Sequence, residues 1–159
     1  MALDPGIFTL KTAHDLFKKL EHDYEVLRKR PTDAYACFNF FVTAHHLPEW
    51  HLRADADKAR DLRKREPILR ICSRLANGAK HFEVKNQKHS FVQSTNQVSV
   101  VPFQGSEQFS WSNDKSPREE FVVQPGPAEA AELGSQISVS DLAHRIVVFW
   151  REKLQGDSV

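Results

Sequence analysis

The sequence predicts an α+β protein: an N-terminal bundle of three to four helices, a small antiparallel β-meander and a closing C-terminal helix. Three observations lead to this class. Apolar residues recur at helical spacing over residues 8–82, short alternating runs follow over residues 82–124, and a helical stripe returns over residues 138–155. The composition, 40% hydrophobic and 27% charged over 159 residues, is typical of a single globular domain spanning residues 1–159.

The first two helices are predicted from their apolar patterns. The first carries one apolar stripe and ends at Pro31, which cannot continue a helix. Its stripe consists of Leu10, Ala13, Phe17, Leu20, Tyr24 and Leu27. The second begins after Thr32 or Asp33, either of which can cap it, and Pro48 closes or kinks it. Residues 34–47 are apolar almost all round, which predicts a helix in the middle of the fold.

Two further helices precede the predicted sheet. A charged helix covers residues 54–66, and Pro67 either kinks it or opens the next helix at a favoured first-turn position. The next helix has a sharp apolar stripe of Ile68, Ile71, Cys72, Leu75, Ala79 and Phe82.

The remaining chain is predicted as strands, a loop and a helix. Strands are expected at residues 82–85, 90–93, 97–103, 108–111 and 120–123. Turn-forming pairs separate them at residues 86–87, 95–96, 104–105 and 113–114. Residues 124–137, with their prolines and glycines, predict a loop that contains one helical turn. Ser138 and Asp141 have the spacing of a capping box at the start of the last helix.

No segment has the pattern of a membrane span or a secretory signal, so we expect a cytoplasmic protein. Cys37 and Cys72 both lie in apolar helical patterns. They are expected to be buried thiols, or alternatively a bridge between facing helices.

The charge is nearly balanced, at +1, which gives no overall indication of a polyanion binder. Residues 53–70 are locally basic, with seven Lys or Arg against four Asp or Glu. This stretch is interpreted as a solvated helix face, or alternatively as a patch that attracts phosphate. The linear motifs of nucleotide-binding, zinc-protease and α/β-hydrolase sites are missing, so no cofactor is predicted.

The most informative segment is a polar ridge on the fourth helix, formed by Arg70, Arg74, Asn77 and His81. Its Asn-x-x-Lys-His ending resembles the conserved stretch of HEPN-type helical domains, and the resemblance covers roughly residues 34–82. Many members of that family are metal-independent ribonucleases, or components of bacterial toxin and phage-defence systems. The resemblance implies catalytic roles for Arg74 and His81, with Asn77 beside them, and a cleft built by a homodimer.

The implied chemistry is coherent. Histidine can exchange a proton with the 2′-hydroxyl or the leaving oxygen near neutral pH, and arginine can bind the phosphate as charge builds on it. Residues 74 and 81 are two helical turns apart, about 10 Å along the axis. Arg74 must therefore reach along the helix, or a dimer must supply the second group. Alternatively the ridge is simply solvated, and Asn77–Gly78 is the C-terminus of the helix.

A second polar stripe interrupts the apolar second helix at Asn39, Thr43 and His46. Buried polar groups need partners, so this stripe is predicted to face the ridge and form a polar seam between the two helices. The seam would fix helix register or form the floor of a binding pocket. Arg70 and Lys80 are further candidate binding residues.

His45, His46, Glu49 and His51 cluster near the end of the second helix. Adjacent histidines on a helix point about 100° apart, so no metal site is predicted. The favoured function is a non-catalytic interaction module of a bacterial defence or regulatory system, in which the sheet or the basic helix binds a protein. The alternative is a HEPN-like ribonuclease, with RNA as the partner, that uses Arg74 and His81.

Overall fold

The computed structural model describes residues 5–53, 55–80, 92–100 and 118–156. The N-terminal half contains four helices: α1 (Ala13–Lys29), α2 (Ala34–His51), α3 (Ala56–Arg65) and α4 (Pro67–Lys80). They are followed by β1 (Val92–Val100), β2 (Arg118–Pro125), α5 (Pro127–Leu133), β3 (Ile137–Ser138) and α6 (Val139–Gly156). The α+β class and the closing C-terminal helix are confirmed.

The helix starts follow from short-range hydrogen bonds. Asp33 caps α2, because its carboxylate accepts from the backbone N–H groups of Tyr35 and Ala36. Pro67 is the first residue of α4, where a missing N–H removes no helical hydrogen bond. At the start of α6 the Ser138 hydroxyl accepts from the Asp141 N–H at 3.2 Å. The predicted starts of these three helices are confirmed.

The helix α2 does not end at Pro48 but continues to His51. Proline removes only one helical hydrogen bond here, and it lies within the last turn. Leu47 and Pro48 are both buried, and the Leu52 N–H donates to the Pro48 carbonyl at 3.0 Å. Packing and this terminal bond hold the turn, so the predicted closure at Pro48 is wrong.

The three described strands form an antiparallel sheet in the order β1-β2-β3. The predicted turn at residues 95–96 is wrong, because Thr95 and Asn96 pair with Val123 and Val122 in the middle of β1. A ladder along the whole strand outweighs the local turn preference of two residues. The strands predicted at residues 82–85 and 108–111, and the turns at 86–87, 104–105 and 113–114, lie outside the described residues.

The predicted loop at residues 124–137 contains the seven-residue helix α5, which is more than the single turn expected. Gly134 ends it with a backbone φ of +84°, a conformation that glycine adopts without steric cost. The chain then enters β3, and Val122 and Val123 pair with Ser138 and Ile137. The sheet is thereby joined directly to the start of α6.

The hydrophobic core lies between α1, α2, α4, α6 and β2. The helix α2 contacts four other helices, as predicted for a central element. Phe40 on α2 and Trp150 on α6 are both fully buried. Cys72 is buried and Cys37 half-buried, and both are free thiols, so the alternative of a disulfide bridge is wrong. None of the helices in the described ranges is both long and apolar enough to cross a bilayer.

Candidate functional site

The described part of the polar ridge, Arg70, Arg74 and Asn77, lies on the side of α4 that faces away from α2. Cys72 Sγ donates to the Phe41 carbonyl at 3.4 Å, so the Cys72 face of α4 packs on α2. Arg70, Arg74 and Asn77 lie about 140–160° around the helix from Cys72, at 3.6 residues per turn. The predicted seam between the ridge and the polar stripe of α2 is therefore wrong.

The polar stripe of α2 finds its partners elsewhere. The Thr43 hydroxyl donates to Asp23 at 2.7 Å and accepts from Lys19 at 2.8 Å, both on α1. Lys19 also pairs with Asp23 at 2.5 Å, which satisfies the buried carboxylate. Asn39 is exposed, and half-exposed His46 lies 3.5 Å from Glu49 in the next turn of its own helix. Side-chain periodicity identifies the polar face of a helix but not the helix that packs against that face. The prediction therefore placed Thr43 against α4, whereas it contacts α1.

Arg70, at the N-terminal end of the ridge, forms an ion pair inside the fold. Its Nε donates to Glu129 Oε1 at 2.6 Å, and its Nη1 donates to the Lys64 carbonyl. Glu129 lies in the first turn of α5 and is buried. The pair attaches α5 to α4, and Glu129 is a partner that no linear pattern indicated.

Arg74 and Asn77 remain on the half-buried part of the ridge. The Arg74 Nη1 atom lies 2.9 Å from the point that a Cβ on Gly78 would occupy, so its guanidinium extends along α4 toward the C-terminal end. The helix runs past Asn77 and Gly78 to exposed Lys80, so the alternative of a helix end at residues 77–78 is wrong. His81 lies outside the described residues.

The end of α2 carries a half-buried imidazole, that of His45, beside the guanidinium of Arg63. The Nη2 atom of Arg63 donates to the His45 carbonyl at 2.9 Å and to Glu49 Oε1 at 3.0 Å. Burial, reinforced by the charges of Arg63 and His46, lowers the pKa of His45 to about 4. His45 Nδ1 and Arg63 Nε are buried with no hydrogen-bond partner among the described residues. His45 is therefore neutral at physiological pH.

The histidine cluster does not gather around one point. The His51 ring packs edge-on against buried Trp150, with centroids 5.7 Å apart, whereas His45 contacts His46. No group of three or more His, Cys, Asp or Glu side chains suited to hold a metal ion occurs in the described part of the chain.

An apolar groove of about 380 Å³ opens between α2, α4 and β2. Its walls include Cys37, Phe38, Phe41, Leu75, Ala79 and Phe121. The Phe121 N–H donates to the Pro31 carbonyl at 3.2 Å, which holds β2 against the start of α2 and so defines one wall. We call this feature the apolar groove.

The surface beside the apolar groove is also apolar. Phe38 is 47% exposed, and Tyr35, one turn earlier on α2, is 85% exposed. Contiguous exposed apolar surface of this kind is typical of interaction sites, whereas isolated exposed apolar residues are common everywhere. Sequence reasoning missed this site, because a helix that is apolar almost all round was predicted to be buried in the middle of the fold. That prediction is wrong at Tyr35 and Phe38, which no neighbouring element covers fully.

Cys37 does not make the apolar groove a reactive site. Burial, with smaller contributions from Asp33 and Glu120, raises the pKa of the Cys37 thiol to about 12. The nucleophilic thiolate is therefore almost unpopulated at neutral pH. The groove offers shape and apolar contact, which suits binding and not covalent chemistry.

Comparison with protein-family models, with curated proteins and with solved structures finds no match to this chain.

Proposed function

We propose that this protein is a non-catalytic interaction module that holds an apolar side chain of a partner protein in the apolar groove. The observation that carries this proposal is the exposure of Tyr35 and Phe38 beside a groove lined by apolar side chains. The setting implied by the resemblance to HEPN-type domains is a bacterial defence or regulatory system.

The surroundings of the groove favour a protein over a small ligand. A small molecule needs only the concave pocket, whereas the exposed Tyr35 ring extends the apolar surface one helical turn beyond it. Protein partners bury such flat extensions around a central anchor, and aromatic residues are frequent at these centres. We therefore expect a large apolar side chain of the partner to enter the groove, and Tyr35 and Phe38 to contact the partner surface that surrounds this side chain.

The test is Phe38→Glu, with His22→Glu as the control, because His22 is exposed on α1 and no residue of α1 lines the apolar groove. Because central anchors contribute about 2 kcal/mol or more to binding, Phe38→Glu should weaken the complex at least about 30-fold, and His22→Glu by less than about threefold. A partner that co-purifies with the chain from its native cells is identified, purified and titrated by calorimetry against both variants.

Three outcomes contradict the proposal. Equal binding by wild type and Phe38→Glu removes the groove from the interface. Self-association that is lost in Phe38→Glu, seen by analytical ultracentrifugation, makes a second copy of this chain the occupant. A large fall in melting temperature for Phe38→Glu means that the ring packs within the fold instead of awaiting a partner.

The ribonuclease alternative is supported by one specific observation. The Arg74 guanidinium extends beside Gly78, toward the C-terminal end of α4, and His81 follows Gly78 by three residues in the sequence. We expect metal-independent cleavage of single-stranded RNA in the presence of EDTA, reduced at least about 100-fold in Arg74→Ala and in His81→Ala. His22→Ala, at an exposed position of α1, is the control. Unchanged cleavage in both variants, or none in wild type, eliminates this function.

A further inference from the structure

A second cavity, of about 530 Å³, shares no lining residue with the apolar groove. It is bounded by the end of α2, by α3 and by the last turns of α6. Lys58, Lys64 and Arg65 line it from α3, and Lys153 lines it from α6. We call it the basic cavity.

The basic cavity has an excess of positive charge. Its lining holds four permanent cations against one carboxylate, Asp61. Lys58 also pairs with Asp55 at 3.1 Å, and counting that carboxylate still leaves an excess of two cations. Lys58 and Arg65, seven residues apart, share one face of α3 and are about 10 Å apart along its axis. The cations therefore surround a volume large enough for more than one anionic group.

The lining offers more charge than aromatic surface, although the Lys153 ammonium also lies 6.0 Å from the centroid of the neighbouring Phe149 ring. Among the described residues that line the basic cavity, the His51 imidazole is the only ring, and it packs edge-on against Trp150. Leu52 and Leu62 complete the wall with aliphatic carbon. Single-stranded nucleic acids are read through stacked bases, whereas their backbones are held by Lys and Arg. A site of this composition is suited to bind phosphate groups and is not expected to discriminate between the bases attached to them.

We propose that the basic cavity binds ligands carrying several phosphate groups, through Lys58, Lys64, Arg65 and Lys153. This site is separate from the apolar groove, and it does not depend on either function proposed above. The phosphates come either from a nucleic-acid backbone or from a free oligophosphate.

The experiment uses three probes on the full chain: labelled 12-nucleotide oligodeoxythymidine and oligodeoxyadenosine by fluorescence anisotropy, and tripolyphosphate by calorimetry. DNA lacks the 2′-hydroxyl, so the ribonuclease alternative cannot destroy the probe. Equal affinity for the two oligonucleotides is expected. The logarithm of the affinity should fall with the logarithm of the salt concentration, with a slope of roughly −2 to −3.

The decisive variant is Lys64→Glu/Arg65→Glu, which should weaken binding at least tenfold. The matched control is Lys18→Glu/Lys29→Glu, which changes the net charge equally at two exposed positions on α1. If the oligonucleotides bind and tripolyphosphate does not, the ligand is a nucleic-acid backbone. If tripolyphosphate binds and the oligonucleotides do not, the ligand is a free oligophosphate. Absence of binding by all three probes at 50 mM salt, or equal weakening by both double variants, overturns the proposal.

Discussion

Replacing Arg70 with alanine is expected to lower the free energy of unfolding by about 3–5 kcal/mol. The side chain of Glu129 is only 4% exposed, and that of Arg70 is 19% exposed. Removing the guanidinium leaves the buried carboxylate of Glu129 without its ion-pair partner and away from water, which is unfavourable. Urea denaturation at pH 7, followed by circular dichroism, measures the loss.

The chain contains a matched control for this prediction. Arg60 and Asp57 are also 2.6 Å apart, but their side chains are 59% and 80% exposed. Arg60→Ala should therefore change the free energy of unfolding by less than about 1 kcal/mol. Replacing both buried partners, as Arg70→Met/Glu129→Met, should restore most of the lost stability, because no buried charge then remains. Similar losses in the Arg70 and Arg60 single variants would show that burial of the pair is unimportant.

The second large effect is that His45 lowers the free energy of unfolding as the pH decreases. A histidine pKa of 6.5 in the unfolded chain and about 4 in the folded chain corresponds to about 3 kcal/mol. Between pH 6.5 and pH 4 the His45 imidazole is protonated in the unfolded chain but neutral in the folded chain, so protonation favours unfolding. This contribution to stability is complete above pH 6.5, falls as the pH decreases, and is lost by about pH 4.

His45→Gln should remove this component, and the slope of stability against pH between 4.5 and 6 should become shallower by up to about 1.4 kcal/mol per pH unit. His22→Gln, at an exposed position of α1, is the control and should retain the wild-type slope. Urea denaturation curves at half-unit pH intervals provide the comparison. Parallel pH profiles for wild type and His45→Gln would mean that His45 accepts a proton in the folded protein without cost.

Patterns within single helices were predicted correctly from the sequence. The apolar stripe of α1 from Ala13 to Leu27, the cap at Asp33 and the start at Pro67 depend on residues a few positions apart. Leu10 is the exception: it was assigned to that stripe but lies before α1, where it pairs with Ile7. The patterns of α2 and α4 also indicated which faces are polar. They could not indicate the neighbours of those faces, and so Thr43 was paired with the wrong helix.

The candidate sites were predicted less completely than the fold. Arg74, Asn77 and Lys80 were selected as candidate site residues because they lie on one helix, and that role stays a prediction; the basic stretch at residues 53–70 was noted from its composition. The apolar groove was not predicted, since its walls come from two helices and a strand far apart in sequence. Lys153 and Glu129 were missed for the same reason, since each meets its neighbours only after the chain folds back.

By itself the sequence determined the α+β class, the helix starts and the polar and apolar faces, because these follow from periodicity, capping and the chemistry of proline over a few residues. Only the tertiary structure decided that Arg70 meets Glu129, that Thr43 meets α1 and that Tyr35 and Phe38 stay exposed. Those contacts depend on which elements pack together, and that arrangement is determined by how all the apolar faces of the chain are buried jointly.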